Sequence, residues 1–105
     1  MNLEAGRPTV AQAIGKLERR IATARRQGVK VIKLIHGYGS SGKGGSLRDA
    51  VRHALPELQR QGLVRSHVAG EHFTRSSPIV REFPRLRDDA DLGRGNRGVT
   101  LVVLR

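Results

Sequence analysis

The sequence has no cysteine and no tryptophan, and its only aromatic residues are Tyr38, Phe73 and Phe83. Without cysteine there is no disulfide framework and no thiolate metal site, and a cytoplasmic location is the expectation. Three aromatics are too few for a base-stacking sheet of the kind that many single-strand readers use. Acidic residues are also scarce: 9 Asp and Glu stand against 20 Lys and Arg, giving a formal net charge of +11. No apolar run approaches the ~18 residues that would suggest a membrane span. The opening Met-Asn-Leu-Glu-Ala-Gly has no apolar signal core, so no membrane partner is expected.

What is present fits one folded unit. A length of 105 residues suits a single domain over 1–105. Val, Ile, Leu and Phe number 28, above the ~20% at which basic chains become disordered tails. The charge therefore belongs on the surface of a modest core. Such a density of one sign calls for a polyanion, and nucleic acid is the commonest. Residues 1–53 carry a net +8 and residues 54–105 a net +3. Arg outnumbers Lys 16 to 4, which a GC-rich genome could also produce, so a generic basic surface is the plain alternative. With so few aromatics, phosphate contacts should outweigh base readout.

Thr9 and Gln12 form a capping-box pattern, and Val10, Ile14, Leu17, Ile21 and Ala24 follow at helical spacing up to Gly28. A helix over 10–27 is predicted, with Lys16, Arg19, Arg20, Arg25 and Arg26 on its outer face. Val29–Ile35 reads as a central strand. A glycine-rich loop runs from His36 to Gly45. Ser46 should then cap a second helix that ends at Gly62 and is kinked or interrupted by Pro56. Leu63–Ala69 reads as a strand, 76–86 as a short helix opened by Pro78, 93–98 as a turn and Val99–Leu104 as the last strand. Leu3-Glu4-Ala5 could add a short first strand. The order β-α-β-α-β-(α)-β predicts an α/β, two-layer sandwich with a mixed sheet of about four strands and two main helices.

The loop His36-Gly37-Tyr38-Gly39-Ser40-Ser41-Gly42-Lys43-Gly44-Gly45 lets backbone approach an anion at a helix start. Gly37-x-Gly39-x-x-Gly42 matches a dinucleotide fingerprint, but the acid in the right structural place, Glu71, comes 29 residues after Gly42, where about 20 are expected. Gly37-x-x-x-x-Gly42-Lys43 nearly completes a P-loop, but Gly44 stands where Ser or Thr would hold Mg²⁺. No nucleotide cofactor is expected. His53, His67 and His72 form no i, i+4 pair on one helix, so no metal site is expected either. Asp88, Asp89 and Asp91 read as a helix cap, or as partners of Arg87 and Arg94.

Three stretches extend the match beyond glycines: Val31-Ile32-Lys33-Leu34-Ile35-His36-Gly37-Tyr38-Gly39, Gly44-Gly45-Ser46-Leu47-Arg48-Asp49-Ala50-Val51, and Gly98-Val99-Thr100-Leu101-Val102-Val103-Leu104. Together they resemble the Smr (small MutS-related) domain over about Leu3 to Leu104. The sequence looks like a longer-loop branch, with about four extra residues between Gly39 and Gly45. The resemblance implies a fold like the C-terminal domain of translation initiation factor three. It also implies binding of DNA or RNA, with endonucleolytic cutting in several members and action on ribosomes or their messages in others.

The family's His-Gly-x-Gly signature falls on His36, Gly37 and Gly39, and its Leu-Arg continuation on Leu47 and Arg48. The family's Leu-Asp-Leu-His segment falls on Leu3-Glu4-Ala5-Gly6, so Glu4 replaces the Asp and Gly6 stands where the His would be. That departure weighs against cleavage more than against binding. The implied catalytic set is Glu4, His36 and Arg48. His36 would be a general acid or base, or else would orient the loop by hydrogen bonds to backbone. The implied nucleic-acid contacts are Gly37, Tyr38, Gly39, Lys43, Gly44, Gly45, Ser46 and Arg48, with Arg94 and Arg97 from the glycine turn. A non-catalytic nucleic-acid or ribosome-binding module is the rival reading.

Overall fold

The structure is a computed structural model and describes residues 1–38 and 44–105. Helix α1 spans Val10–Arg26. Its capping box is formed: Thr9 Oγ1 accepts from Gln12 N at 3.1 Å, and Thr9 N donates to Gln12 Oε1 at 2.9 Å. Strand β1 spans Val31–Ile35, helix α2 Gly44–Arg60 and strand β2 Val64–Ala69. A 3₁₀ turn over Gly70–His72, helix α3 over Pro78–Glu82 and a second 3₁₀ turn over Pro84–Asp88 lead to strand β3, Val99–Leu104. No helix among the described residues is long and apolar enough to cross a membrane.

The sheet order is β1-β3-β2, with β3 antiparallel to both neighbours. β1 and β2 therefore run parallel, and α2 supplies the crossover that parallel strands require. Among the described residues, the expected four strands become three. The N-terminal segment makes only an isolated parallel bridge, Asn2 to Ile35. The reason is local: Gly6 and Arg7 both have positive φ, and Arg7 N donates back to the Glu4 carbonyl at 3.1 Å. The chain turns away before a strand can extend.

β3 is buried along its whole length. One face carries Val102 and Leu104 into a core with Leu17 and Ile21 of α1 and Val51, Leu55 and Leu58 of α2. The other carries Val99, Leu101 and Val103 into a second cluster with Phe73, Ile79 and Val80. Residues 70–98 thus cover the sheet face opposite the two main helices. The short helix expected over 76–86 is shorter, because Pro84 follows Phe83 and the chain continues as a 3₁₀ turn.

Two further expectations for α2 change. The helix begins at Gly44, which puts Ser46 inside its first turn and not at the cap. Of the kink or interruption expected at Pro56, the interruption does not occur: the helix continues through it to Arg60. Val51, Leu55 and Leu58, all buried, fasten the segments before and after the proline to one core.

The acidic group Asp89 and Asp91 serves neither Arg87 nor Arg94. Lys33 Nζ of β1 lies 3.0 Å from Asp89 Oδ1 and 2.6 Å from Asp91 Oδ2. Lys33 therefore ties the 70–98 cover to the sheet. Burial alone would lower the lysine pKa, but hydrogen bonds to Asp91 and Asp89 outweigh it and raise the value. Asp91 is lowered, chiefly by its hydrogen bond from Lys33 and then by the one from Asn96.

Candidate nucleic-acid interface

One end of the sheet gathers the end of β1, the start of β3, the end of β2 and the N-terminal segment. Leu3 N donates to the Ile35 carbonyl at 2.8 Å, and Ile35 N donates to the Met1 carbonyl at 2.9 Å. This pairing brings Glu4 beside the loop. Gly37 has φ +74°, and a Cβ there would collide with the Glu4 carboxylate. Glycine suits the positive φ, and any larger residue would also require the flexible Glu4 carboxylate to move aside.

His36 is wholly buried. Its amide and that of Gly37 both donate to the Gly98 carbonyl at 3.0 Å, which binds the loop to the start of β3. The ring is engaged at both nitrogens: Nδ1 lies 2.6 Å from the Gly37 carbonyl and Nε2 lies 2.9 Å from Thr100 Oγ1. A carbonyl only accepts, so Nδ1 carries the proton, and neutral Nε2 accepts from the threonine hydroxyl. Burial lowers the His36 pKa. The positive charges of Arg52 and Arg48 push it the same way, and the Gly37 carbonyl and Glu4 oppose them. The neutral ring is therefore favoured.

Arg48 and Arg52 sit one turn apart on α2 and share Glu71 from the 3₁₀ turn after β2. Arg52 Nη2 lies 2.6 Å from Glu71 Oε1, and Arg48 Nη2 lies 2.9 Å from Glu71 Oε2. Burial would raise the Glu71 pKa, but the hydrogen bond from Arg52, joined by the one from Arg48, overrides it and holds the carboxyl at about 2. Both Nε atoms are buried, and neither has a hydrogen-bond partner among the described residues. Two guanidiniums on one carboxylate leave one positive charge in excess. Gly70 makes this turn fit: a Cβ there would run into the Asn96 carbonyl oxygen and stand 2.6 Å from Val99 Cγ2.

Tyr38 is half exposed, and the Arg97 guanidinium lies over its ring, 5.9 Å from the centroid. The turn that carries Arg97 is tied down by Asn96. Asn96 Oδ1 accepts from Gly98 N at 2.8 Å, and Asn96 Nδ2 donates to Asp91 Oδ1 at 2.8 Å. The Lys33–Asp89–Asp91 group is thus linked through Asn96 to the Gly98 carbonyl that holds the loop.

The residues expected from sequence divide as follows. Glu4, His36 and Gly37 come together, as do Tyr38 and Arg97. Arg48 pairs with Glu71 and not with Glu4. Gly44, Gly45 and Ser46 form the start of α2. Arg94 is exposed in the 93–98 turn, with its amide donating to the Asp91 carbonyl at 3.2 Å. Gly39 and Lys43 lie outside the described residues. Among the described residues, no group of three His, Asp or Glu is placed to hold a metal ion.

Sequence reasoning missed Arg52, Glu71 and Thr100 as parts of the site. Arg52 had a signal in its i, i+4 spacing from Arg48. Thr100 had one as the single polar residue of an otherwise apolar strand. Glu71 had none in spacing, because its role depends on where β2 ends relative to α2.

The family model described as the Smr domain matches residues 6–105. The chain belongs to the Smr domain family. Glu4 falls just outside the matched residues. This Smr domain is 32% identical over 97 residues to Endonuclease MutS2 of Thermus thermophilus, a match covering 92% of the chain and 9% of that protein. The chain thus spans about a tenth of the length of that curated relative. It is also similar to the crystal structure of the Smr domain of Thermus thermophilus MutS2. That likeness has a TM-score of 0.62 and 30% identity, and covers 100% of this chain and 95% of that chain.

Proposed function

We propose that this Smr domain binds DNA or RNA by gripping phosphates at the sheet end formed by His36–Tyr38, the first turns of α2 and the 93–98 turn. The observation that carries the reading is the Arg48–Glu71–Arg52 group. It is a pre-ordered pair of guanidiniums with positive charge in excess, next to a glycine-rich helix start whose amides favour anions. Tyr38 and Arg97 add an exposed aromatic and cation on the adjoining turn. Similarity to the Smr domain of a protein named as an endonuclease supports a nucleic-acid ligand. A ribosome-associated role is the same chemistry with structured RNA as the ligand.

In this reading His36 is a positioning residue. A ring with no exposed nitrogen, held by Gly37 and Thr100, shapes the loop and does not reach a strand. Cutting is the second reading, and one observation favours it: the exposed Glu4 carboxylate is poised over Gly37. Phosphodiester hydrolysis needs an activated nucleophile and stabilisation of developing charge. Glu4 would take a proton from the attacking water, Arg48 would stabilise the charge as the new P–O bond forms and the ester P–O bond breaks, and the departing oxygen would take its proton from solvent. Supercoiled plasmid and structured RNA, incubated with wild type, Glu4→Gln and His36→Ala, with and without divalent metal, separate the readings. Cutting lost in Glu4→Gln supports hydrolysis. Binding without cutting by any variant supports the binding module.

A further inference from the structure

A second cationic concavity lies away from the loop, between α1 and the start of β1. It has a volume of about 850 Å³; its wall carries Lys16, Arg19 and Arg20, and its floor Ala24, Val29 and Ile32. None of its lining residues is acidic. Among the described residues, these three cations make no ion pair; Lys16 Nζ has only a long contact, 3.5 Å, to the Asn2 carbonyl. Three unneutralised cations around a groove repel one another unless an anion occupies it.

The floor decides which anion. Val29 is exposed, and Ala24 and Ile32 are half-buried. This is apolar surface that a free phosphate or a duplex backbone would leave unmatched. A single nucleic-acid strand presents both things the groove offers to meet: phosphates for the wall and exposed apolar faces of unpaired bases, which the aliphatic floor meets by van der Waals contact without aromatic stacking. Ile32 of its floor and Ile35, the last residue of β1 before the loop, are three residues apart, roughly 10 Å at 3.3 Å per residue. The two places are therefore within reach of one strand.

We propose that the α1–β1 groove is a second contact track, which takes a single-stranded continuation of the nucleic acid held at the loop. The proposal rests on the phosphate-binding reading above and narrows its ligand to nucleic acid with a single-stranded stretch.

The test compares wild type with a Lys16→Gln, Arg19→Gln, Arg20→Gln triple variant. Glutamine keeps helix propensity, and circular dichroism with thermal melting checks the fold. Binding of a 20-nucleotide single strand and of the same sequence as duplex is followed by fluorescence anisotropy at several salt concentrations. Three lost phosphate contacts at ~0.7 each predict that the log K against log[salt] slope on the single strand shrinks by about 2. A loss of affinity of roughly tenfold or more at low salt, larger on the single strand than on the duplex, is expected. An unchanged slope, or equal losses on both ligands, overturns the track and leaves the loop reading standing. A wild type that binds neither ligand overturns both.

Discussion

The His36 ring is anchored by Thr100, whose Oγ1 lies 2.9 Å from Nε2 inside the sheet. This pair makes a buried polar link between the signature loop and the central strand. Replacing Thr100 with Val keeps the shape and leaves Nε2 buried without a partner. An orphaned buried acceptor costs about 1–3 kcal/mol. Urea denaturation of Thr100→Val should show a loss of that order, and Thr100→Ser, which keeps the hydroxyl, a smaller one. Equal stability of wild type and Thr100→Val would mean that the link contributes nothing.

The same burial makes stability depend on pH in a defined direction. His36 has a folded pKa below its unfolded value, so the unfolded chain takes up a proton more readily. Its contribution is complete above the unfolded pKa near ~6.5. It is lost as pH falls from there through the folded value. His67 is also lowered, by burial and then by Arg52, and adds to the same trend. Denaturation midpoints should fall between pH 7.5 and pH 5, and His36→Gln should flatten part of that fall. Glu71, held at about 2, keeps its charge throughout this window. Its own contribution is present above the unfolded carboxylate range and disappears only as pH falls toward 2.

Glu71→Gln tests the clamp directly. The side chain keeps its size and loses the charge shared by Arg48 and Arg52. All three side chains are partly exposed, so solvent screening limits the loss to about 1 kcal/mol, read from the denaturation midpoint at pH 7. No change would show that the two arginines hold their places without it.

Two glycines should respond differently to alanine. At Gly70 a Cβ meets the Asn96 backbone and Val99, neither of which can move without opening the start of β3. Gly70→Ala should therefore fail to fold or melt far below wild type. At Gly37 the obstructing group is the mobile end of Glu4, so the lasting cost is the positive φ, about 1–2 kcal/mol. Adding Glu4→Ala should recover only the steric part. Thermal melts of the three variants rank them.

Local signals carried most of the fold. Thr9 and Gln12 marked the start of α1, and the β-branched run before His36 marked β1. What was not legible depended on contacts remote in sequence. Lys33 reads as a polar interruption of a strand until the 70–98 segment brings Asp89 and Asp91 against it. Pro56 reads as a kink or a break, and the break is removed by the buried Val51, Leu55 and Leu58, which hold α2 together. Leu3-Glu4-Ala5 reads as a strand until the positive φ of Gly6 and Arg7 turns the chain. At the site, His36, Gly37 and Glu4 were visible through the family pattern. The clamp that gives Arg48 its geometry was not, because the end of β2 sets where Glu71 stands.

The central claim is that the sheet end grips phosphate, and the salt dependence of binding tests it most directly. With roughly 4–6 phosphates neutralised on duplex DNA, log K should fall with log[salt] at a slope of about −3.6 to −5.4, and Arg48→Gln should reduce its magnitude by about 1. Affinity that does not change between low and moderate salt, or a slope untouched by Arg48→Gln, would contradict it.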